Sequence, residues 1–209
     1  MCLYLLTGGQ SIDVFEAEVR QMKETKDTEI RRSEFVDAAE KLFKENGIVD
    51  TTINAIVKEM DVAKGLFYYY FNSKDDVIEA ISEKYNNDFR QAIARSLDPS
   101  EDYDERLQGF INSTIESFKV MWDNFHGVNE NIDLTILSSR SLDEAKETAA
   151  RQLRELFEEG NELNRTHVPN PEYFAQLLVS GMADLASRTE ADIQEIYRII
   201  EDMIRKAGK

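Results

Sequence analysis

Cysteine is almost missing. Cys2 is the single one in 209 residues, so no disulfide closes within the chain. Proline stands only at 99, 169 and 171, and long stretches rich in Glu, Lys, Ala, Leu and Ile run without a breaker. No segment alternates in the manner of a strand, so an all-α fold is expected. No apolar run is long enough to span a bilayer. Leu3 to Leu6 is too short for a signal-peptide core and lacks a basic flank, and a soluble cytoplasmic protein is expected. Histidine occurs only at 126 and 167. A di-metal bundle needs a Glu-x-x-His on each of two helices, and Asp123 with His126 is one pair, not a site. No G-x-S-x-G, Gly-rich phosphate loop or cysteine cluster is present. Asp75-Asp76 and Glu158-Glu159 read as solvated faces, and His126 as a helix-end dipole partner. The chain reads as no enzyme, with no metal and no cofactor.

What is present is concentrated between residues 52 and 74, TINAIVKEMDVAKGLFYYYFNSK. Thr52 suits an N-cap, since its hydroxyl accepts from a free backbone N–H. Ile53, Ile56, Val57 and Met60 then form an apolar helical stripe, Asp61-Val62 turns the chain, and a second short helix runs from about Ala63 to Tyr69. Phe67 and Phe71, four apart, point inward. Lys64, Gly65, Tyr68 and Tyr69 are left outside, with Tyr70 near the helix end. Three consecutive tyrosines cannot share one helix face, so at least one is exposed. Aromatics at helical spacing are usually core, and Lys64 and Lys74 alone would be ordinary surface lysines; their position in the pattern gives them weight.

The layout suits a helix-turn-helix whose second helix lies in a DNA major groove. Gly65 lets the backbone approach, Lys64 can reach a phosphate or guanine O6 and N7, and tyrosine hydroxyls are good phosphate donors. A preceding helix over residues 30–46 carries Phe35, Ala38, Ala39, Leu42 and Phe43 on one face, and Asn46-Gly47 ends it with Gly47 at the left-handed position. Ser73 with Asp76 opens a fourth helix as a capping box, with Lys74 in a first turn that favours phosphate.

Residues 30 to 81 resemble the N-terminal domain of the TetR family of transcriptional regulators. The resemblance rests on AAEKLFKENG (38–47), TTINAIV (51–57) and VAKGLFYYYFNSK (62–74). It implies that Thr52 and Lys74 contact phosphate, that Asn54, Lys64 and Gly65 lie at or near base edges, and that Tyr68, Tyr69 and Tyr70 touch backbone and bases. Four positions depart from the family: Ala63 where serine is common, Leu66 where a polar residue is common, and Met60-Asp61 where Ala-Gly is common. Leu66 cannot hydrogen-bond a base, though it can touch a thymine methyl.

Charge argues the other way. The net charge is −16, and DNA affinity comes largely from phosphate neutralisation. Residues 22–80 hold nine Lys or Arg against thirteen Asp or Glu. Lys58, Lys64 and Lys74 lie in or beside the motif, and Lys23, Lys26, Arg31 and Arg32 precede the first helix. Little non-specific binding and a steep loss of affinity with salt are expected.

Three parts follow from this reading. Residues 1–27 form an extension or arm, poorly ordered or a short helix through Ile12, Phe15 and Val19; Met22 reads as an alternative start, with the codons for Glu18-Val19 able to serve as a ribosome-binding sequence. Residues 28–75 form the three-helix DNA head, and residues 76–209 a helical effector-binding and dimerisation body. About nine helices are expected. The fourth runs toward Leu97, and a fifth spans Leu107 to Phe125. A short sixth holds Ile132 to Leu137, and a seventh starts at a Ser141…Glu144 capping box, where Ala145, Ala149 and Ala150 allow close packing. An eighth opens on Asn170-Pro171 and a ninth on Thr189…Asp192.

The last two helices are apolar over broad faces, and Gly181 in a helix interior costs about 1 kcal/mol against alanine. A four-helix homodimer interface is expected through Leu178, Gly181, Met182, Leu185, Ile196, Ile200 and Met203, as in the TetR family; the other reading is that these residues complete the monomer core. A two-fold dimer matches a pseudo-palindromic double-stranded operator. The resemblance also implies a small effector, and Phe118, Met121, Trp122 and Phe125 are candidates for an apolar pocket wall, or for ordinary core. The expectation is a ligand-responsive homodimeric regulator, a repressor released by an apolar or amphipathic effector. The alternative is a helical carrier or protein-interaction module that no longer binds DNA.

Overall fold

The structure is a computed structural model that describes the backbone of residues 10–126, 134–188 and 192–207, with side chains from residue 26 onward, His126 apart. Among the described residues it is all-helical, with eight helices: α1 Gln10–Asn46, α2 Ile53–Glu59, α3 Lys64–Tyr70, α4 Lys74–Arg95, α5 Tyr103–His126, α6 Thr135–Glu162, α7 Pro171–Ala186 and α8 Ile193–Lys206.

Three sequence expectations shift. The first helix begins at Gln10 rather than near Ile30. Residues 10–46 hold no glycine or proline, and Gly8-Gly9 stand just before it, so nothing in the sequence interrupts the helix. The expected break before Ser141 does not exist. Leu137, Ser141, Ala145, Ala149 and Leu153 are all buried at four-residue steps along α6, a stripe that runs straight through the supposed cap. Glu144 accepts from Asn86 at 2.7 Å and pairs with Arg90, both on α4, instead of closing a capping box. The last helix starts at Ile193, with Asp192 as its N-cap accepting from the N–H groups of Gln194 and Glu195; Thr189 lies outside the described residues, as do Ile132 and the His126 side chain.

The other caps stand as the sequence reads them. Gly47 has φ 85° and donates to Phe43 O at the end of α1. Asn170 accepts from Tyr173 N at 3.1 Å with Pro171 in the first turn of α7. Ser73 accepts from Asp76 N at 3.1 Å and donates to the Asp76 carboxylate at 2.7 Å. Asp76 also accepts from Asn72 N at 2.8 Å. The Ser73 hydroxyl, then the Asn72 N–H, holds the Asp76 carboxyl below its usual range.

The head closes around Phe35, which is fully buried and meets Phe67 edge-on at 5.8 Å, Tyr70 at 5.7 Å and Phe71 at 6.3 Å. Removing such a ring costs about 3–5 kcal/mol. In the body, α6 packs against α4, α5 and α7. Ala145 and Ala149 are buried there, as their size suggests. The two parts meet along α4. Glu40 of α1 accepts from Lys44 at 2.7 Å, Lys84 at 2.8 Å and the Tyr85 hydroxyl. Burial pulls the Glu40 carboxyl upward, but those three donors outweigh it and leave it below its ordinary value.

Candidate nucleic-acid interface

Thr52 sits in extended geometry, and its hydroxyl accepts from Ala55 N at 3.1 Å. That cap is worth about 1 kcal/mol. It starts α2 so that Ile56 and Val57 face the core while Asn54 and Lys58 face solvent. The turn then passes through Asp61 at φ 52°, a left-handed conformation that glycine adopts freely. This explains why glycine is the common residue there: Asp61 holds the same backbone at some cost, as Asn and Asp do more readily than other residues.

α3 is short and sharply two-faced. Phe67 and Phe71 are buried, at 0% and 2% exposure. Tyr68 is 49% exposed and Tyr69 71%. Lys64 and Gly65 are exposed, and nothing lies within 4 Å of where a Gly65 Cβ would stand. The Lys64 ammonium makes no ion pair among the described residues; its nearest aromatic companion is the Tyr68 ring, 5.9 Å away. Tyr70 turns partly inward against Phe35. Leu66 is half-buried against the core, which accounts for an apolar residue at that position. Ala63 gives α3 no side-chain cap.

Lys74 has a partner that the sequence does not reveal. Its ammonium donates to the carbonyls of Ile48 at 2.6 Å and Thr51 at 3.0 Å, with Val49 O at 3.4 Å. The Thr51 hydroxyl, buried beside it, donates to Gly47 O at 2.8 Å and Leu42 O at 3.2 Å. Together they fix the turn that delivers Thr52 to the start of α2. Of the other cations near the head, Arg31 pairs with Glu34, Lys41 with Glu59, and Arg32 lies over the Phe71 ring at 4.9 Å.

The expected dimer residues divide. Leu178, Met182, Ile196 and Ile200 are already covered by their own chain, at 5%, 1%, 5% and 5% exposure, so they belong to the monomer core. Leu185 is half-buried. Gly181 has nothing within 4 Å of its would-be Cβ, and Met203 is exposed. Beside Met203, the exposed apolar side chains of these two helices are Tyr173 and Leu177 on α7 and Ile199 on α8, none of which was in the expected set. A broad apolar stripe does not say which of its edges meets the chain's own core.

The expected pocket wall divides too. Phe118 and Phe125 are core residues, stacked against Phe89 at 5.3 Å and Tyr85 at 4.7 Å. Trp122 is half-buried. Met121 alone of the four lines a cavity described here, a 300 Å³ cleft between α4 and α5. A larger groove of 640 Å³ lies between α5, the 165–167 loop and α8, lined by Leu107, Ile111, Arg165, His167, Tyr197 and Ile204 among others. Asp123 pairs with Lys119 at 3.6 Å, and among the described residues no three His, Cys, Asp or Glu stand together as metal ligands. No described helix is long and apolar enough to cross a membrane.

Comparison with known proteins bears on this geometry. Residues 35–81 match the family model for bacterial regulatory proteins of the tetR family. The HTH-type transcriptional regulator HbdR of Aromatoleum sp. (strain CIB) is 32% identical over 113 residues, covering 54% of this chain and 45% of its own. The HTH-type transcriptional repressor KstR2 of Mycolicibacterium smegmatis is 23% identical over 172 residues, covering 82% of this chain and 75% of its own. Among solved structures, a TetR/AcrR-family regulator from Thermobifida fusca shares the fold with a TM-score of 0.65 at 18% identity, over 86% of this chain and 98% of its own. The fatty acid degradation regulator FadR from Bacillus halodurans does so with a TM-score of 0.62 at 20% identity, over 84% and 94%.

Proposed function

We propose, since this chain belongs to the TetR family of bacterial regulatory proteins, that it is a homodimeric DNA-binding transcriptional regulator working in the cytoplasm. We read it as a repressor whose hold on a pseudo-palindromic operator is loosened by an apolar or amphipathic small molecule. One observation carries the DNA reading: α3 turns Lys64, Gly65, Tyr68 and Tyr69 to solvent while Phe67 and Phe71 anchor it from behind. These side chains are open to solvent, as contact with a duplex requires. Lys64 would serve phosphate or a guanine edge, Gly65 the close backbone approach, and Asn54 a base edge. Thr52, Tyr68, Tyr69 and Tyr70 would fix register on the phosphates. Lys74 would act through the turn it holds.

The division into an extension, a head over residues 28–75 and a body over 76–209 goes with this reading. In the body, the outer apolar face of α7 and α8 supports a two-fold dimer that presents two copies of α3. Gly181 gives that face a low point where another helix can approach closely. The test is a gel shift of the purified chain with DNA flanking its own gene, in low salt. A specific complex that Lys64→Ala or Tyr69→Ala weakens, with dimerisation intact, supports the reading. No specific complex, with or without cell extract as a source of effector, favours a helical carrier that has left DNA behind, to which the net charge of −16 is better suited.

A further inference from the structure

The amino-terminal part of α1 stands apart from the packed molecule. Burial on α1 begins at Phe35. Residues 26–34 are all exposed, Ile30 at 50%, so no face of these turns is covered by the chain's own described residues. The helix nevertheless continues back to Gln10. No glycine or proline bends it there. Residues 10–25 carry it about 24 Å further.

A lone helix in water has no need of an apolar face, yet this segment has one. Ile12, Phe15, Val19 and Met22 follow one another at steps of three, four and three. Counted along a helix they fall within an arc of about 80°. These are the a and d positions of a heptad, with β-branched Ile12 and Val19 at a and Phe15 and Met22 at d. The pattern stops at Lys26 and Glu29, the next two seam positions, which are charged and exposed.

Charge beside the seam selects the partner and its direction. In a parallel pair of identical helices, each g position faces the e position of the next heptad across the seam. Glu18 then meets the partner's Lys23, twice by symmetry, and Ser11 meets the partner's Glu16 with no opposing charge. An antiparallel pair centred on the same four residues brings Glu16 toward Glu16 and Glu18 toward Glu18, which repel. A parallel pair also has its two-fold axis along the seam, so it closes as a dimer and does not propagate. Two heptads are short for a free coiled coil, but these extend a helix already nucleated by the packed turns from Phe35 onward. A start at Met22 would remove Ile12, Phe15 and Val19, and with them the seam.

We propose that residues 10–25 form a short parallel coiled coil with the same segment of a second copy of this chain, tying two heads together through their first helices. This goes beyond the regulator reading and does not depend on it. The experiment uses the full chain with Cys2→Ser, so that each new cysteine is the only one. Val19→Cys should oxidise to a cross-linked pair at least about tenfold faster than Ala17→Cys, because only a seam position brings two Cα atoms within the roughly 7 Å that a disulfide spans. Adding Glu18→Lys to Val19→Cys should slow the cross-link, and so should adding Lys23→Glu, since each sets like charges across the seam. Mixing the two charge variants should restore it, because every glutamate then meets a lysine; a variant that had merely unfolded would not be rescued. Equal rates for Val19→Cys and Ala17→Cys, no cross-link at all, or a mixture no faster than either charge variant alone overturns the coil. Faster cross-linking between Phe15→Cys and Val19→Cys chains than within either is the antiparallel arrangement and overturns the parallel one. None of these readouts involves DNA, so failure here leaves the regulator reading standing.

Discussion

Two surfaces of this molecule expose large side chains, and they do so in different chemical kinds. The outer face of α3 shows Lys64, Tyr68 and Tyr69, rings that end in hydroxyls beside an exposed lysine. The outer face of α7 and α8 shows Leu177, Ile199 and Met203, with Tyr173 at one end. Tyrosine and lysine suit a wet, charged partner that offers phosphate oxygens and polar base edges. Leucine, isoleucine and methionine gain only where water leaves altogether, as in the core of a homodimer interface. On the proposed reading, the first face meets DNA and the second meets another copy of the chain. The same reading has to reconcile an acidic chain with DNA. The negative charge is weighted toward the body, and within the head Glu34 and Glu59 are answered by Arg31 and Lys41.

The sharpest way to break the contrast is to put charge on the dry face. Leu177→Asp with Ile199→Asp should convert a dimer to a monomer in sedimentation and weaken operator binding by two orders of magnitude or more, because each half-site alone keeps only part of the contacts. A monomer that binds as tightly as the parent would separate the two faces and refute their link. Next in size is Tyr69→Ala, where loss of a phosphate or base contact worth about 1–3 kcal/mol lowers affinity roughly tenfold to a hundredfold with sedimentation unchanged.

Two lysines sharpen the comparison within the head. Lys64→Ala should flatten the dependence of log K on log salt by about one unit, the mark of a lost phosphate contact. Lys74→Met should instead lower the melting temperature of the head and reduce affinity with the salt slope nearly unchanged, since its ammonium already serves Ile48, Thr51 and Val49. Equal slopes for the two variants would place Lys74 on phosphate after all. The smallest effect is at the turn: Asp61→Gly should raise stability by up to about 1 kcal/mol by relieving the left-handed strain, and should strengthen DNA binding slightly by removing a negative charge.

Acid titration gives an independent reading of the head. The Asp76 and Glu40 carboxyls lie below their usual range when folded. Their contribution is therefore complete above the unfolded carboxylate pKa and is lost as pH falls through the lower folded values. Chemical denaturation followed with pH should show the head weakening in that acid window, less so in Ser73→Ala, which removes the first support of Asp76.

Much of this was legible because local chemistry decided it. Gly47, Thr52, Ser73 and the Asn170-Pro171 pair end or begin helices for reasons carried by the residues themselves, and the phenylalanine pair 67 and 71 fixes which side of α3 is inside. What stayed hidden depended on distant partners. Ser141 and Glu144 have the spacing of a cap, but Ser141 is buried along α6 and Glu144 serves Asn86 and Arg90 across the body. Lys74 looks like a surface cation until the carbonyls of a turn more than twenty residues earlier close around it. Leu178 carries the same side chain as Leu177, and only the packing of α7 on α6 and α5 shows which of them turns inward.

The most direct trial of the central claim is fluorescence anisotropy of the full-length chain against labelled DNA from beside its own gene, with a scrambled duplex of equal length as comparison. The account predicts tight, salt-sensitive binding to the first, little to the second, and loss of the difference in a Lys64→Ala, Tyr69→Ala double variant that still sediments as a dimer. Equal binding of both duplexes by the parent, or an unchanged preference in the double variant, would contradict it.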